Sequence, residues 1–358
     1  MPQILGTTRR TTRTIHVGAV AVGGDAPVSV QSMTKTPTTD IQATVNQIAA
    51  LKEAGCEIIR IAVLNDDAAD ALGQIKRAAT IPIIADIHFD WKLALKAIAN
   101  GVDGLRINPG NIGALWKVKE LVSACKDKGI PIRIGVNAGS LQKDILQTYG
   151  HPTPEAIVES ARRHIEILED MDFNLIKVSL KASNVPSTVE AYRTFSRTYD
   201  YPLHIGVSEA GPPPAGIIKS AVGLGILLDE GIGDTMRVSL TARPEEEVKT
   251  AYSILRSLGL RKHGIDLISC PTCGRTRIDL INLVREAESR LKPLNRNITV
   301  AIMGCEVNGP GEAKEADVGI AGGNGVGLLF KKGVVIKKVM ESELLDCLVE
   351  TIEGLPEH

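Results

Sequence analysis

Two stretches, IPIIADI (81–87) and DGLRIN (103–108), decide the fold of this chain. Each is a short run rich in β-branched and other apolar residues, which is the pattern of a strand buried in a parallel sheet. A longer segment with a helical pattern separates them. Strand, helix and strand in this order predict a βαβ unit, whose two strands lie parallel in one sheet.

The same alternation extends from residue 28 to residue 258. Six further strand candidates repeat it: VSVQS (28–32), EIIRIAV (57–63), PIRIGVN (131–137), NLIKVSL (174–180), PLHIGVS (202–208) and DTMRVSL (234–240). The helical patterns between strands include residues 41–54, 112–128, 154–170 and 244–258. Eight strands that alternate with helices predict a closed (β/α)8 barrel, the TIM barrel.

Length and composition indicate a second, smaller domain and exclude several classes of protein. At 358 residues with 44% apolar content, the chain exceeds the size at which one core stops growing, so we expect domains over 1–262 and 263–358. Lysine and arginine total 41 against 42 acidic residues, and only 3% of residues are aromatic. These values argue against nucleic-acid or membrane partners. With no stretch of the ~20 apolar residues that span a bilayer, we predict a cytoplasmic protein.

The predicted strands carry basic and polar residues toward their C-terminal ends, where barrels of this kind place their active sites. Residues two apart share a side of a strand, so these side chains can point inward together. They are Arg60, Arg106 with Asn108, Arg133 with Asn137, Lys177, Ser179 and Lys181, and Arg237 with Ser239. Because arginine matches phosphate oxygens, the set predicts a diphosphate ligand. Individually, these residues could instead pair with Asp86, Asp103, Glu209 or Asp234.

Two further strand ends carry candidate proton donors. Asp86 and His88 lie at the end of the third strand, and His204 and Glu209 at the end of the seventh. A single histidine in such a position is more often structural than catalytic, so both interpretations stay open.

Beyond residue 264 the pattern changes to a small domain with three cysteines at the ends of its elements. ISCPTCGR is followed by a helical stretch around 279–291, a strand NITVAIMG (297–304) and CEVNGPGE. The spacing of Cys270, Cys273 and Cys305 predicts a metal centre. Residues 264–357 lack histidine and Cys347 falls in a terminal helix, which favours a 4Fe-4S cluster with Glu312 as an oxygen ligand. A zinc site and a redox-active dithiol are the alternatives.

Seven motifs together resemble one known family along nearly the whole chain. They are VQSMT (30–34), IADIHFD (84–90), LRINPGNIG (105–113), PIRIGVNAGSL (131–141), EGIGDTMRVSL (230–240), CPTCGR (270–275) and MGCEVNGPGE (303–312). In order and approximate spacing they are similar to the bacterial 4-hydroxy-3-methylbut-2-en-1-yl diphosphate synthases, enzymes of the methylerythritol phosphate route to isoprenoids. Such a set is far more specific than any single motif.

The resemblance implies a fold, a cofactor and a reaction. The fold is a TIM barrel with a small α+β iron-sulfur domain similar to that of sulfite and nitrite reductases, and Cys270, Cys273, Cys305 and Glu312 would hold one 4Fe-4S cluster. The enzyme would open the ring of 2-C-methyl-D-erythritol 2,4-cyclodiphosphate and remove a hydroxyl group, with two electrons from flavodoxin or ferredoxin. Glu209 would be the acid/base group. The substrate would be bound by Arg60, His88, Arg106, Asn108, Arg133, Asn137, Lys181 and Ser239.

The position of the second domain in the chain also predicts an assembly. The last barrel helix, about 15 residues at ~1.5 Å each, runs ~22 Å away from the mouth before the second domain begins. A cluster domain that starts at the far end can cap the mouth of a partner's barrel in a head-to-tail homodimer, as the resemblance also implies.

Two other classes of function remain as alternatives. The tail could be a structural zinc module on a non-redox barrel enzyme similar to a pterin-diphosphate transferase. It could also be a nucleic-acid or protein-binding module on an inert barrel, although the balanced charge and few aromatic residues count against this.

Overall fold

The structure is a computed structural model that describes residues 8–294, 296–305 and 313–356. The chain divides into two compact units, Met1–Arg261 and Lys262–His358. The units are described separately below. None of the described helices is both long and apolar enough to cross a membrane.

The first unit is a barrel of eight parallel strands, as the sequence predicts. The strands are β3 (Ser29–Met33), β4 (Ile58–Ala62), β5 (Ile83–Asp86), β6 (Gly104–Ile107), β7 (Ile132–Asn137), β8 (Ile176–Lys181), β9 (His204–Ile205) and β10 (Thr235–Met236). They pair in the order β8-β7-β6-β5-β4-β3-β10-β9. A parallel bridge between Val178 and Leu203 joins the two ends of this order, so the sheet closes on itself.

Ten helices belong to this unit: α1 (Ile41–Glu53), α2 (Asp66–Ala78), α3 (Trp91–Ala99), α4 (Pro109–Ile112), α5 (Leu115–Lys128), α6 (Lys143–Tyr149), α7 (Pro154–Glu169), α8 (Val185–Thr198), α9 (Ala215–Asp229) and α10 (Pro244–Ser257). Their starts follow local chemistry. Asp40, Asn65 and Thr153 accept hydrogen bonds from backbone N–H groups of the first turns, and α7, α8 and α10 have proline in the first turn, where no intrahelical donor is lost.

A hairpin of two short strands lies near the N-terminal ends of the barrel strands. It consists of β1 (Ile15–Val17) and β2 (Val20–Val22), and its buried residues pack with Ile58 and Ile84 in one apolar cluster. Ile58 opens β4 and Ile84 lies early in β5, so the hairpin fills the bottom of the barrel. The opposite end, where the strands finish, is therefore the end that can admit a ligand.

The described residues of the second unit form a five-stranded mixed sheet and two α-helices. Its elements are β11 (Asp266–Ser269), α11 (Leu280–Leu291), β12 (Thr299–Met303), β13 (Val318–Ala321), β14 (Val326–Lys331), β15 (Val334–Met340) and α12 (Leu344–Glu353). The strands pair in chain order, the first three parallel and the last two antiparallel. Side chains of both helices pack with inward residues of the sheet in a separate core. The small α+β domain that the sequence predicts is thus confirmed as a fold.

Candidate functional site

Four charged side chains stand in one row across neighbouring barrel strands. Backbone pairing places Asp86 opposite Arg106, Arg106 opposite Arg133, and Arg133 opposite Lys177, on β5 to β8. The flanking residues of β8, Ile176 and Val178, belong to the apolar core between strands and helices. Because side chains alternate along a strand, Lys177 faces the barrel interior. One carboxylate thus stands in a row with three cations.

Asp86 is the centre of the ion pairs in this row. Its carboxylate lies 3.5 Å from Arg60 Nε, 3.4 Å from Arg106 Nη1 and 3.8 Å from His88 Nε2. Burial alone would raise the pKa of Asp86, but the charges of Arg60, Arg106 and Arg133 together outweigh burial and lower it. Asp86 is therefore ionised and serves two arginines at once.

The cations of the barrel interior outnumber the carboxylates near them. Among the described residues, the carboxylates of Asp86 and Glu247 are the two that lie within salt-bridge distance of an interior cation. The cations are Arg60, Arg106, Arg133, Lys177, Lys181 and Arg237. Nε and Nη1 of Arg133 and Nζ of Lys177 are buried and have no hydrogen-bond partner among the described residues. An anion with several oxygens would supply both the missing charge and the missing acceptors.

Burial and mutual repulsion also shift the protonation of these groups. Burial, and then Arg133, lower the pKa of Lys177 to about 7, and the same two causes hold the pKa of Lys181 well below its ordinary value. His88 has a lowered pKa because of partial burial and Arg106. Its Nδ1 lies 3.0 Å from Arg106 Nη1, and since a guanidinium can only donate, the neutral ring accepts this bond.

Two glycines in the barrel wall give the basic side chains their space. A β-carbon on Gly135 of β7 would lie 2.5 Å from Arg106 Nε, and one on Gly206, directly after β9, would lie 2.4 Å from Lys181 Nζ. Real β-carbons do not approach other atoms this closely. A larger residue at either position would have to displace the end of the arginine or lysine side chain.

The predicted substrate ligands differ in how free their polar atoms are. Arg106 Nη2 donates a hydrogen bond to Gly135 O at 2.9 Å. The side-chain amide of Asn108 makes two hydrogen bonds to the backbone of the same glycine, since Nδ2 donates to Gly135 O and Oδ1 accepts from Gly135 N. Asn137 and Ser239 are half-buried, at the end of β7 and beyond β10. Asn108 thus clamps β6 to β7, while Asn137 and Ser239 lie nearer the surface.

Glu209 is exposed in the loop that follows β9. Its φ is +53°, in the left-handed region that non-glycine residues rarely adopt. Such a conformation costs on the order of 1–3 kcal/mol and persists where surrounding structure imposes it, which is common at functional sites. The other candidate of this segment, His204, is completely buried inside the barrel, and both of its ring nitrogens lack hydrogen-bond partners among the described residues.

Sequence reasoning missed one carboxylate of this region, Glu247. It lies in the first turn of α10, is almost fully buried, and bonds to Lys35 Nζ at 3.1 Å, to Arg237 Nη2 at 3.3 Å and to the backbone N–H of Leu240. In the sequence it is one of three successive glutamates at a helix start, where acidic residues are ordinary. Its position four residues before Ala251, on the buried side of α10, is the sequence feature that could have distinguished it.

Three thiols of the second unit, Cys270, Cys273 and Cys305, lie on loops at one end of its sheet. Cys270 directly follows β11 and Cys305 follows β12, and these two strands are parallel neighbours, so their C-terminal ends are adjacent. The backbone N–H of Gly304 donates to Cys270 Sγ at 3.2 Å. Arg277 N donates to Gly304 O at 3.0 Å, and a β-carbon on Gly304 would lie 2.9 Å from Thr276 Cγ2. Gly304 therefore lets the CPTCGR loop pack closely on the turn that carries Cys305.

The three thiols have different surroundings. Cys305 is buried, Cys270 is partly buried and Cys273 is exposed. Hydrogen bonds from the backbone and then from the side chain of Arg275 lower the pKa of Cys273. No three His, Cys, Asp or Glu side chains of the described segments are grouped closely enough to hold a metal ion. The fourth predicted ligand, Glu312, lies outside the described residues.

The remaining cysteines belong to other parts of the fold. Cys56 and Cys125 are buried in the barrel unit, where burial raises the pKa of both thiols to about 12. Cys347 lies on α12, with its sulfur 3.6 Å from Lys337 Nζ. These surroundings agree with structural roles for Cys56 and Cys125.

Comparison with solved structures supports the barrel alone. The chain is similar to the dihydropteroate synthase of Yersinia pestis, with a TM-score of 0.52 and 13% identity over 70% of this chain and 98% of that chain. It is also similar to an N-acetylneuraminic acid synthetase of Leptospira borgpetersenii, with a TM-score of 0.51 and 14% identity over 71% and 91% of the two chains. At this identity the likeness concerns the fold, and it does not favour the non-redox transferase considered from the sequence.

Comparison with curated relatives covers both units. The proteins named 4-hydroxy-3-methylbut-2-en-1-yl diphosphate synthase (flavodoxin) of Thermodesulfovibrio yellowstonii and Geobacter sulfurreducens are 61% and 60% identical to this chain. Each match covers 96% of this chain, and 99% and 98% of the two relatives. Two family models match as well, the GcpE TIM-barrel domain over residues 12–252 and the GcpE protein C-terminal domain over residues 266–354. The chain belongs to the GcpE family.

Proposed function

We propose that the protein converts 2-C-methyl-D-erythritol 2,4-cyclodiphosphate to 4-hydroxy-3-methylbut-2-en-1-yl diphosphate, with two electrons from flavodoxin. The observation that carries this proposal is the row Arg106, Arg133 and Lys177, whose charges a single carboxylate opposes. The near full-length relatives that carry the name of this enzyme support the same reaction.

The charge of the substrate suits the barrel mouth. Each phosphorus of a cyclic diphosphate carries one strongly acidic oxygen, so the substrate is a dianion. Its reduction consumes two electrons and one proton, breaks the ring bond from carbon to the diphosphate and releases one hydroxyl as water, which leaves the product with three negative charges. The proposed ligands of both anions are Arg60, His88, Arg106, Asn108, Arg133, Asn137, Lys181 and Ser239. Fixed cations of this kind stabilise charge as it develops.

Glu209 is the proposed acid/base residue of the same reaction. The support is its position after β9, at the end of the barrel where the strands finish, and its left-handed backbone. As a solvent-exposed carboxyl group in a fixed loop conformation, it could deliver the proton that the departing hydroxyl needs.

We propose that Cys270, Cys273, Cys305 and Glu312 hold one 4Fe-4S cluster. The donor set fits, because two thiols follow adjacent parallel strands, Gly304 allows the two loops to meet, and Arg275 favours the thiolate form of Cys273. When bound, such a cluster would supply single electrons and Lewis acidity. The chain itself contributes the thiolates and the packing of the CPTCGR loop on the turn that carries Cys305.

A cytoplasmic homodimer, in which each cluster domain faces the partner's barrel, belongs to the same proposal. Exposed apolar side chains follow the C-terminal ends of three successive barrel strands, at the mouth of the barrel. Such a patch supports the proposal that another domain covers this surface. They are Leu64 after β4, Phe89 after β5, and Leu115 and Trp116 after β6.

An anaerobic turnover assay tests the function. The purified full-length protein, reconstituted with iron and sulfide, is mixed with the cyclodiphosphate, reduced flavodoxin and its reductase, and the phosphorus NMR spectrum is recorded. We expect the resonances of a linear diphosphate to replace those of the ring. An unchanged ring with fully loaded protein, in the presence of flavodoxin and of ferredoxin, would contradict the proposal.

A further inference from the structure

Lys177 is the most deeply buried cation of the barrel interior. Its side chain is 1% exposed, and its Nζ has no hydrogen-bond or salt-bridge partner among the described residues. The neighbour opposite Lys177 on β7 is Arg133, a second cation. Like charges directly opposite each other on adjacent strands repel, so this pair destabilises the ligand-free barrel as long as both side chains are charged.

The groups around Lys177 do not neutralise it. On its own strand Lys181 is a further cation, and on β9 the buried ring of His204 has no hydrogen-bond partner in the part of the chain that the structure describes. One carboxylate, Asp234, attracts Lys177, but its effect is smaller than those of burial and of Arg133, and it already accepts bonds from Arg9, Thr12 and the backbone N–H of Leu203. The loss of a proton by one member of the pair would remove the repulsion.

Among the members of the row, the lysine is the one that can lose it. A guanidinium keeps its proton at any ordinary pH, so Arg106 and Arg133 stay charged. The pKa of Lys177 lies at about 7, because of burial and Arg133. A bound dianion reverses the sign of the local potential and restores the charged form.

We infer that Lys177 is a charge-compensating positioning residue, which is neutral in the free protein and takes up one proton when the diphosphate substrate binds at the barrel mouth. This inference rests on the proposed function. It assigns Lys177 no contact with the substrate. The additional positive charge appears only when the anion is present, so the empty barrel does not have to hold it.

The lining around Lys177 is suited to conduct that proton. Side chains of β3, β9 and β10 that face the same interior are polar, and each has side-chain polar atoms without hydrogen-bond partners among the described residues. They are Ser29, Gln31, His204 and Thr235. Backbone pairing aligns three of them, with Thr235 opposite both His204 and Ser29. Hydroxyl, amide and imidazole groups can all relay hydrogen bonds.

Calorimetry of substrate binding tests the inference. The full-length protein is titrated anaerobically, without reductant, with the cyclodiphosphate at pH 8 in HEPES and in Tris, whose different ionisation heats report the protons taken up. A cyclic diphosphate has no ionisation near this pH, so uptake belongs to the protein. We expect Lys177→Met to bind with about one proton fewer per chain than the unchanged protein. Lys52→Met, at an exposed lysine on α1, is the matched control and should leave uptake unchanged.

A second measurement separates a folding defect from the inference. The affinity of the unchanged protein should fall with rising pH above about 7, by up to about tenfold per pH unit more steeply than that of Lys177→Met. Lys177→Arg, which keeps its charge, should bind without the extra uptake. Equal uptake and equal pH dependence in folded Lys177→Met and unchanged protein would overturn the inference alone. Absence of binding to the unchanged protein would overturn the proposed function, and the inference with it.

Discussion

The barrel mouth and the thiol loops are built from different kinds of structure. At the mouth, charged side chains project from strand positions whose register the sheet fixes, and wall glycines set their rotamers. At the thiol edge, Cys270 and Cys273 lie on a loop, and the contacts that hold this loop pass through Gly304. The mouth is therefore preorganised before any ligand binds, at the cost of repulsion between like charges. We expect the thiol loops to reach their final geometry only with a bound group.

The largest expected effect concerns the thiol edge. Cys305→Ser should remove the iron and sulfide, about four of each per chain, and abolish turnover, because two thiolates do not hold such a cluster. Cys347→Ser, on α12, is the matched control and should keep both. Iron and sulfide analysis of anaerobically reconstituted protein measures this. One zinc per chain without sulfide in the unchanged protein would instead support the structural zinc site.

The second prediction is a substitution that should lower kcat/KM and at the same time raise the free energy of unfolding. Arg133→Met removes a cation that stands between Arg106 and Lys177, so kcat/KM should fall by roughly 10–150-fold, the worth of bonds to a charged group. The free energy of unfolding should rise by about 1–3 kcal/mol, because repulsion and an unpartnered buried charge disappear. Denaturant titration and steady-state kinetics measure the two. A loss of stability would show that the mouth does not carry the repulsion inferred from its register.

A smaller effect tests the wall glycines. Gly135→Ala should displace the Arg106 guanidinium and raise KM about tenfold with a smaller change in kcat, since a misplaced guanidinium loses one charged hydrogen bond. Gly139→Ala, four residues along the chain, is the control, because its β-carbon would meet no atom within 4 Å. Equal kinetics of the two variants would mean that Arg106 adapts without loss.

The last prediction concerns the pH dependence of stability near α4, and its expected effect on activity is the smallest. His164 is buried on α7 and its Nδ1 accepts a hydrogen bond from Gly110 N at 3.0 Å. Burial lowers its pKa from 6.5 to about 4, so the unfolded chain binds the extra proton first. Stability should therefore fall as the pH drops from about 6.5 to 4, by about 2 kcal/mol at pH 5 from this residue. Urea titrations of His164→Gln and the exposed-site control His151→Gln measure the difference. If the free energy of unfolding changed equally with pH in both variants, His164 would not be the group responsible.

The sequence predicts the barrel well because its strands follow a simple rule. Apolar residues face the helices, and polar residues two apart, such as Arg106 and Asn108, face the interior. Because side chains alternate along a strand with a period of two, the sequence alone predicts that these polar side chains converge inside the barrel. Contacts that cross between strands do not follow from any one strand. The amide of Asn108 is occupied by Gly135, twenty-seven positions away, and no local pattern indicates this.

The thiol site could be predicted in its ligand types but not in its support. The CxxC spacing identifies Cys270 and Cys273, and the strand before Cys305 places the third thiol at an element end. The packing of Thr276 against Gly304 depends on the parallel pairing of β11 and β12, which the sequence leaves open. The role of Glu247 was missed for a similar reason, since its partners Lys35 and Arg237 come from other elements.

The parallel pairing of β11 with β12 sets the order in which the thiol edge can form during synthesis. Gly304, which anchors the first loop, is separated from Cys270 by 34 positions. At ~5–20 residues per second, Cys270 and Cys273 wait on the order of seconds on the nascent chain before their anchor is made. During this interval the Cys273 thiol, which stays exposed even in the folded loop, is open to oxidants and to competing metal ions. Protein made in air should therefore carry its first oxidative damage at Cys273.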